Sequence, residues 1–248
     1  MAVYSDEGYI IKRRNFLESD LIVTVFTKNH GKIDAIVKSG RKVKSRKAGY
    51  IDYLNKLKFL FAEGKSLDII TEVEPIEIRE LTKQEVDESF VFFTSEFLNL
   101  IFPENLESRD LYKEFELSLD WFLKTKEEKY LLYFMFYSLA YEGYTDFTRE
   151  CVICEKTLQN AKKIYLYKSK GGFVDDCNKQ IDGELVEVNI AIVKILLYFK
   201  EHKIVDIQSL NIKNANKLLL FKLISEIIEQ IAEREIKSFY LLKKYYND

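Results

Sequence analysis

The sequence predicts an α+β protein, a small β-barrel of OB type followed by an α-helical part. Three observations predict it. Short runs rich in β-branched and aromatic residues, separated by turn chemistry, fill about the first 75 residues. A long polar connection follows the third of these runs, as a small Greek-key barrel requires. After Pro75 the apolar spacing changes from two to about 3.6. An SH3-like barrel is the closest competing architecture for the N-terminal part.

The elements follow in order. Gly8–Phe16 and Asp20–Thr27 read as the first two strands. Leu21, Val23 and Val25 alternate with Ile22, Thr24 and Phe26, so the second strand is apolar on both faces. The Lys28-Asn-His-Gly31 turn leads into a returning strand, Lys32–Lys38. Tyr53–Phe61 alternates Leu57, Phe59 and Phe61 against Lys56 and Lys58. A turn at Glu63-Gly-Lys65 then opens Leu67–Glu74, and Pro75 is expected to end it.

Helical spacing begins at Gln84–Phe102, where Val86, Phe90, Phe93, Phe97, Leu100 and Ile101 form one stripe. Ser108–Lys124 and Glu127–Glu142 are the next helices, the latter closed by Gly143. Residues 151–181 read as irregular and contain all three cysteines. Val188–Lys203 and Lys213–Lys244 are helical again. Two domains are expected, 1–80 and 81–248, with a cysteine-containing insert at about 150–181.

The connection after the third strand is KSGRKVKSRK, Lys38 to Lys47, with six basic residues and no acidic one. The chain's net charge of −2 hides an asymmetry. Residues 1–70 hold fourteen Lys and Arg against eight Asp and Glu, a surplus of six, which leaves the remainder at −8. A cationic loop on a small barrel suits a phosphate backbone, because each neutralised phosphate releases a counterion. A solvated surface loop is the plainer reading of such a run. Lys38, Arg41, Lys42, Lys44, Arg46 and Lys47 are assigned to phosphate contact, with Lys12, Arg13, Arg14 and Lys32 secondary. Of the nearby aromatics, Phe16 and Tyr53 are expected to plug the barrel, while Tyr9 and Tyr50 stay open as stacking candidates.

The N-terminus shows no targeting pattern. The most apolar run, Tyr130 to Tyr141, is too short to span a bilayer. Three cysteines do not make a secreted disulfide framework. A cytoplasmic protein with no membrane partner is expected. The chain lacks a Walker loop, a Gly-x-Gly-x-x-Gly fingerprint, a His-Glu-x-x-His helix and a Gly-x-Ser-x-Gly elbow. No catalysis and no nucleotide are therefore expected.

Several segments together resemble the RecO family of bacterial recombination mediators. They are Glu18-Ser19-Asp20, Phe26-Thr27, His30-Gly31-Lys32 and Gly40-Arg41-Lys42-Val43-Lys44-Ser45-Arg46, in that order. Leu139-Ala-Tyr-Glu-Gly-Tyr144, Cys151-x-x-Cys154, Gly171-Gly172-Phe173 and Arg234-Glu-Ile-Lys-Ser238 extend the likeness through the helical part. The resemblance implies an N-terminal OB-fold and an α-helical domain with a degenerate zinc-finger-like insert. It implies binding of single- and double-stranded DNA and annealing of complementary strands. It also implies recombinase loading with RecR and contact with the C-terminal tail of single-stranded-DNA-binding protein. Such a tail suits an apolar groove with a basic rim, for which Lys194, Lys200, Lys203, Lys213, Lys217 and Lys222 are available, while for any single one of them ordinary solvation of an amphipathic helix is the plainer reading. The alternative is a protein-interaction scaffold that makes no direct DNA contact.

The resembled zinc region carries a second Cys-x-x-Cys soon after its glycine pair, and this chain has only Cys177 there. Direct register from the glycines puts Asp175 and Asn178 in the two cysteine positions. A slip of two makes Cys177 a third ligand, with Gln180 a poor fourth. Cys151, Cys154 and Cys177, completed by Asp175 or Asp176, form one candidate zinc set. A decayed site held by packing, with free thiols, is the other.

Overall fold

In a computed structural model of the chain, the described residues are 2–42, 49–79, 88–145, 147, 149–158, 161–167, 170–176 and 183–247. The expected domain boundary at residue 80 falls among those left out. The chain divides into two compact units, Met1–Glu116 with Ile236–Asp248, and Leu117–Glu235.

The first unit is built on a closed five-stranded barrel of order β1-β2-β3-β5-β4. Its strands are β1 (Val3–Phe16), β2 (Asp20–Thr27), β3 (Lys32–Val37), β4 (Lys56–Ala62) and β5 (Asp68–Glu77). β1 is long enough to serve two neighbours. Val3–Tyr9 pairs with β4 and Gly8–Phe16 with β2, and a bulge between Ile10 and Lys12 bends it from one to the other. Closure comes from parallel pairing of β3 with β5 at Ala35–Val37 and Asp68–Ile70. This curled first strand and parallel closure match the OB-type expectation.

Ile10, Leu21, Val23, Val25, Ile33, Val37, Leu57, Phe59 and Phe61 fill the interior. The opposite face of β2 is buried as well, because Phe26 packs on Phe102, Tyr112 and Phe115. Those rings belong to the segment after α1 (Glu88–Ile101) and to the first turns of α2 (Arg109–Thr125). A C-terminal helix, α6 (Phe239–Asn247), completes this unit by packing on α1.

The second unit contains α3 (Lys129–Tyr141), α4 (Ile190–Glu201), a 3-10 turn at Ile204–Ser209 and α5 (Asn214–Ala232). α3, α4 and α5 pack on one another. Gly143, at φ +78°, ends α3 as expected. Asn189 caps α4 by accepting the Ile192 N–H. Among the described residues, no helix is long and apolar enough to cross a membrane.

Four expectations are corrected. Residues 151–181 are not wholly irregular. They contribute β6 (Ile164–Tyr167) and β7 (Gly172–Asp175) to an antiparallel sheet completed by β8 (Leu185–Val188), in the order β7-β6-β8. These strands are only four residues long, below what periodicity can detect. Lys213–Lys244 is two helices, broken at Glu233 in the left-handed conformation, where no glycine signals a stop. Pro75 lies inside β5 opposite Leu57. β5 pairs with β3 only as far as Ile70, so Pro75 lies where β5 has one described neighbour, next to a register shift, and a proline is tolerated at such an edge. Finally, Phe16 and Tyr53 are half-buried and do not plug the barrel, and Tyr53 packs edge-on against Phe92.

Candidate nucleic-acid interface and thiol cluster

The stem of the cationic loop is pinned by the Glu18-Ser19-Asp20 step between β1 and β2. Asp20 accepts the Ser39 N–H at 2.7 Å and the Lys38 ammonium at 3.1 Å. The Ser39 N–H first, and then Lys38, hold the Asp20 carboxyl below the usual carboxylate range. Ser39 itself is left-handed, at φ 55°. The Arg41 N–H donates to the Ser19 carbonyl at 2.9 Å, and its guanidinium to the Glu18 carbonyl at 3.3 Å.

The other end of the loop is held from β1. Arg13 donates to the Ile51 carbonyl at 3.0 Å and to the Asp52 carboxylate at 2.9 Å. The Leu54 N–H meets the Ile10 carbonyl at 2.8 Å. Both ends of the loop are thus fixed to the barrel. Arg41 and Lys42 are exposed where the described part ends, and Lys44, Arg46 and Lys47 lie outside the described residues. Lys12 and Arg14 are exposed on β1.

Two assigned residues are placed elsewhere. Lys32 is 8% exposed, and its ammonium donates to the Asn99 carbonyl at 2.6 Å, in the last turn of α1. A buried, partnered lysine offers no charge to a phosphate. Tyr9 is fully buried against Tyr112 and Phe115, with its hydroxyl donating to Glu116. It belongs to the core, and of the two stacking candidates Tyr50 remains half-buried against the barrel interior. The anchoring role of Glu18–Asp20 was not read from the sequence. Its signal was there, in an acidic step one hairpin away from a basic run.

In the second unit the Cys151–Cys154 turn is tied to the end of β7. Val152 N–H donates to the Phe173 carbonyl at 2.9 Å, and Glu155 N–H closes the turn on the Cys151 carbonyl at 2.8 Å. Cys151, Cys154 and Asp175 bring two sulfurs and a carboxylate oxygen within 4.8 Å of one another. Cys154 Sγ lies 3.7 Å from Asp175 Oδ1. Burial pushes the Cys151 thiol up, but N–H groups of Asp175, Cys154 and Ile153 directed at the sulfur outweigh it and bring the thiol below its usual value. Such donors stabilise a thiolate. The donor set fits a soft or borderline divalent cation such as zinc and is one ligand short of four. Asp175 rather than Asp176 takes the third position, since Asp176 is exposed beyond the strand. Cys177 lies outside the described residues.

Comparison with known proteins agrees with this architecture. The family model described as Recombination protein O N terminal matches residues 1–79, and Recombination protein O C terminal matches residues 89–239. The chain is similar to the DNA repair protein RecO of Clostridium acetobutylicum, at 27% identity over 246 residues and 98% of each chain. It is likewise similar to that of Clostridium perfringens, at 27% over 247 residues and 98% of each, and of a Thermoanaerobacter species, at 29% over 248 residues and 96% of each. With both halves of one family matched in order on a barrel and a helical part, this chain belongs to the RecO family of recombination and DNA repair proteins.

Proposed function

We propose that this protein is a non-enzymatic, cytoplasmic mediator of recombinational repair that binds single- and double-stranded DNA through the β3–β4 loop and anneals complementary strands. The observation that carries the reading is the cationic loop held at both ends by the barrel, with Arg41 and Lys42 exposed at its stem. Two strands repel through their phosphates, and a cationic surface that holds both lowers that barrier. Base pairing then drives annealing, so no nucleotide is needed. Phosphates carry no sequence information, so binding is sequence-independent.

Recombinase loading with RecR, and capture of the single-stranded-DNA-binding protein tail, belong to the same reading. Two hollows of the second unit differ in how well they suit an acidic, aromatic-ended tail. The one at β8, α4 and α5 sets Glu187 and Glu226 against Lys222. The other, of about 170 Å³, is lined by Phe136, Tyr137, Tyr141, Leu196 and Phe199, with Lys200 the only charged residue of its lining among the described residues. Charge favours the second. Cys151, Cys154 and Asp175 would hold a structural zinc ion, with Cys177 as the fourth donor, and the ion would brace the 151–175 segment.

The test is single-strand binding against salt for the native protein and a variant with Arg41, Lys42, Lys44 and Arg46 changed to Ala. Four to six phosphate contacts give a log–log salt slope of about −3 to −4, and affinity falls roughly a hundredfold between about 50 and 200 mM salt. The variant should lose most of both affinity and slope. Equal binding by the two proteins would move the DNA elsewhere on the chain, and no binding by either would move the function to a protein scaffold.

A further inference from the structure

The C-terminal helix carries a second surface with nucleic-acid chemistry. From Ile236 to Asn247 the sequence is IKSFYLLKKYYN, with three lysines and no carboxylate. It lies almost wholly beyond residue 239, where the match to the family ends. Glu96 on α1 fixes the start of α6 by accepting the Lys237 and Ser238 N–H groups and, at 2.6 Å, the Ser238 hydroxyl. Phe239 and Leu242 are buried, and Phe239 packs towards Phe93. The inner face is thereby committed to packing.

The outer face is not. Tyr240 is 72% exposed and Leu241 is exposed beside it, whereas Tyr245 packs edge-on against Phe90. Lys244 follows Tyr240 by four residues and shares its side of the helix, whereas the Lys243 ammonium lies over the Phe239 ring, 4.7 Å from its centroid. Lys237 is exposed just before the first turn. An exposed ring flanked by cations, with no carboxylate on α6 among the described residues, matches a strand whose bases and phosphates alternate. Each base offers a π-face to the ring and each phosphate a charge to a lysine. A duplex keeps its base faces stacked and offers only the charge.

We propose that Tyr240, with Lys237 and Lys244, forms a stacking site for single-stranded DNA, additional to the β3–β4 loop and on the same unit. The inference rests on the DNA-binding reading above. It gives the annealing surface a preference for unpaired strands that the loop charges alone do not supply.

The test uses the full chain, a labelled oligothymidylate of about 30 nucleotides and a duplex of equal length. Tyr240→Ala should weaken single-strand binding about five- to tenfold, the lower end of the stacking range, with duplex binding unchanged. Tyr240→Trp should restore it. Lys237→Gln with Lys244→Gln should flatten the single-strand salt slope by about 1.4. Tyr240 is exposed, and a thermal melt matching the native one checks that the variant folds. If Tyr240→Ala binds single strands as the native protein does while the loop variant does not, the α6 site is wrong and the loop reading stands. Equal loss on both DNA forms also overturns stacking. Loss of RecR binding with DNA binding kept makes the patch a protein contact. A native protein that binds no DNA overturns both readings together.

Discussion

Asp20 shows how one carboxylate organises a cationic loop. Its folded-state pKa is lowered by the Ser39 N–H and Lys38, so its contribution to stability is present above the unfolded carboxylate value and is lost as pH falls through the folded one. Asp20→Asn should therefore lower the melting temperature near neutral pH. The gap to the native protein should close as the pH is brought below the carboxylate range, and melts across that range measure it. The same variant should weaken single-strand binding severalfold by freeing the loop stem. Residue type alone misled at Lys32 and Tyr9. A lysine beside a basic run and a tyrosine on a strand carry no mark that a helix far along the chain will cover them. Lys32 meets Asn99 and Tyr9 meets Glu116, contacts that span most of the first unit's sequence.

At the scale of elements, β1 must pass between two partners, and Gly8 sits in the pairing with both. A Cβ there would lie 2.6 Å from the Phe26 carbonyl and 2.8 Å from Val25 Cγ1. Gly8→Ala should cost about 1–3 kcal/mol, by the usual penalty for overpacking, measured by denaturant unfolding. The opposite effect is expected where α5 ends. Glu233 holds φ 52°, a conformation that strains a side chain, so Glu233→Gly should stabilise the chain by about 1 kcal/mol. The alternation of β2 and the stripe of α1 were legible because each element repeats its period over several residues. β6, β7 and β8 were not, because four residues hold too few repeats, and their pairing depends on partners up to about twenty residues apart.

For the whole molecule, the division into two units separates two kinds of chemistry. The cationic loop and α6 lie in Met1–Glu116 with Ile236–Asp248, and the thiol cluster lies in Leu117–Glu235. If Cys151, Cys154 and Asp175 hold zinc, chelation should raise amide exchange across β7 and the 151–158 turn and leave β1–β5 protected. Cys151→Ser should do the same without chelator. Uniform exchange changes in both units would argue against a local metal brace. The sequence by itself determined five strands ahead of a helical part and the place of the cationic loop between the third and fourth, because period, turn chemistry and charge are local quantities, while the pairing order and the parallel closure of the barrel came from the tertiary structure. It also offered Asp175 in a cysteine position, by register from Gly171 and Gly172. Only the tertiary structure decided which cations are exposed, which rings are core, and which carboxylate meets the two thiols. Each of those outcomes is set by what another part of the chain brings alongside, and no local pattern encodes it.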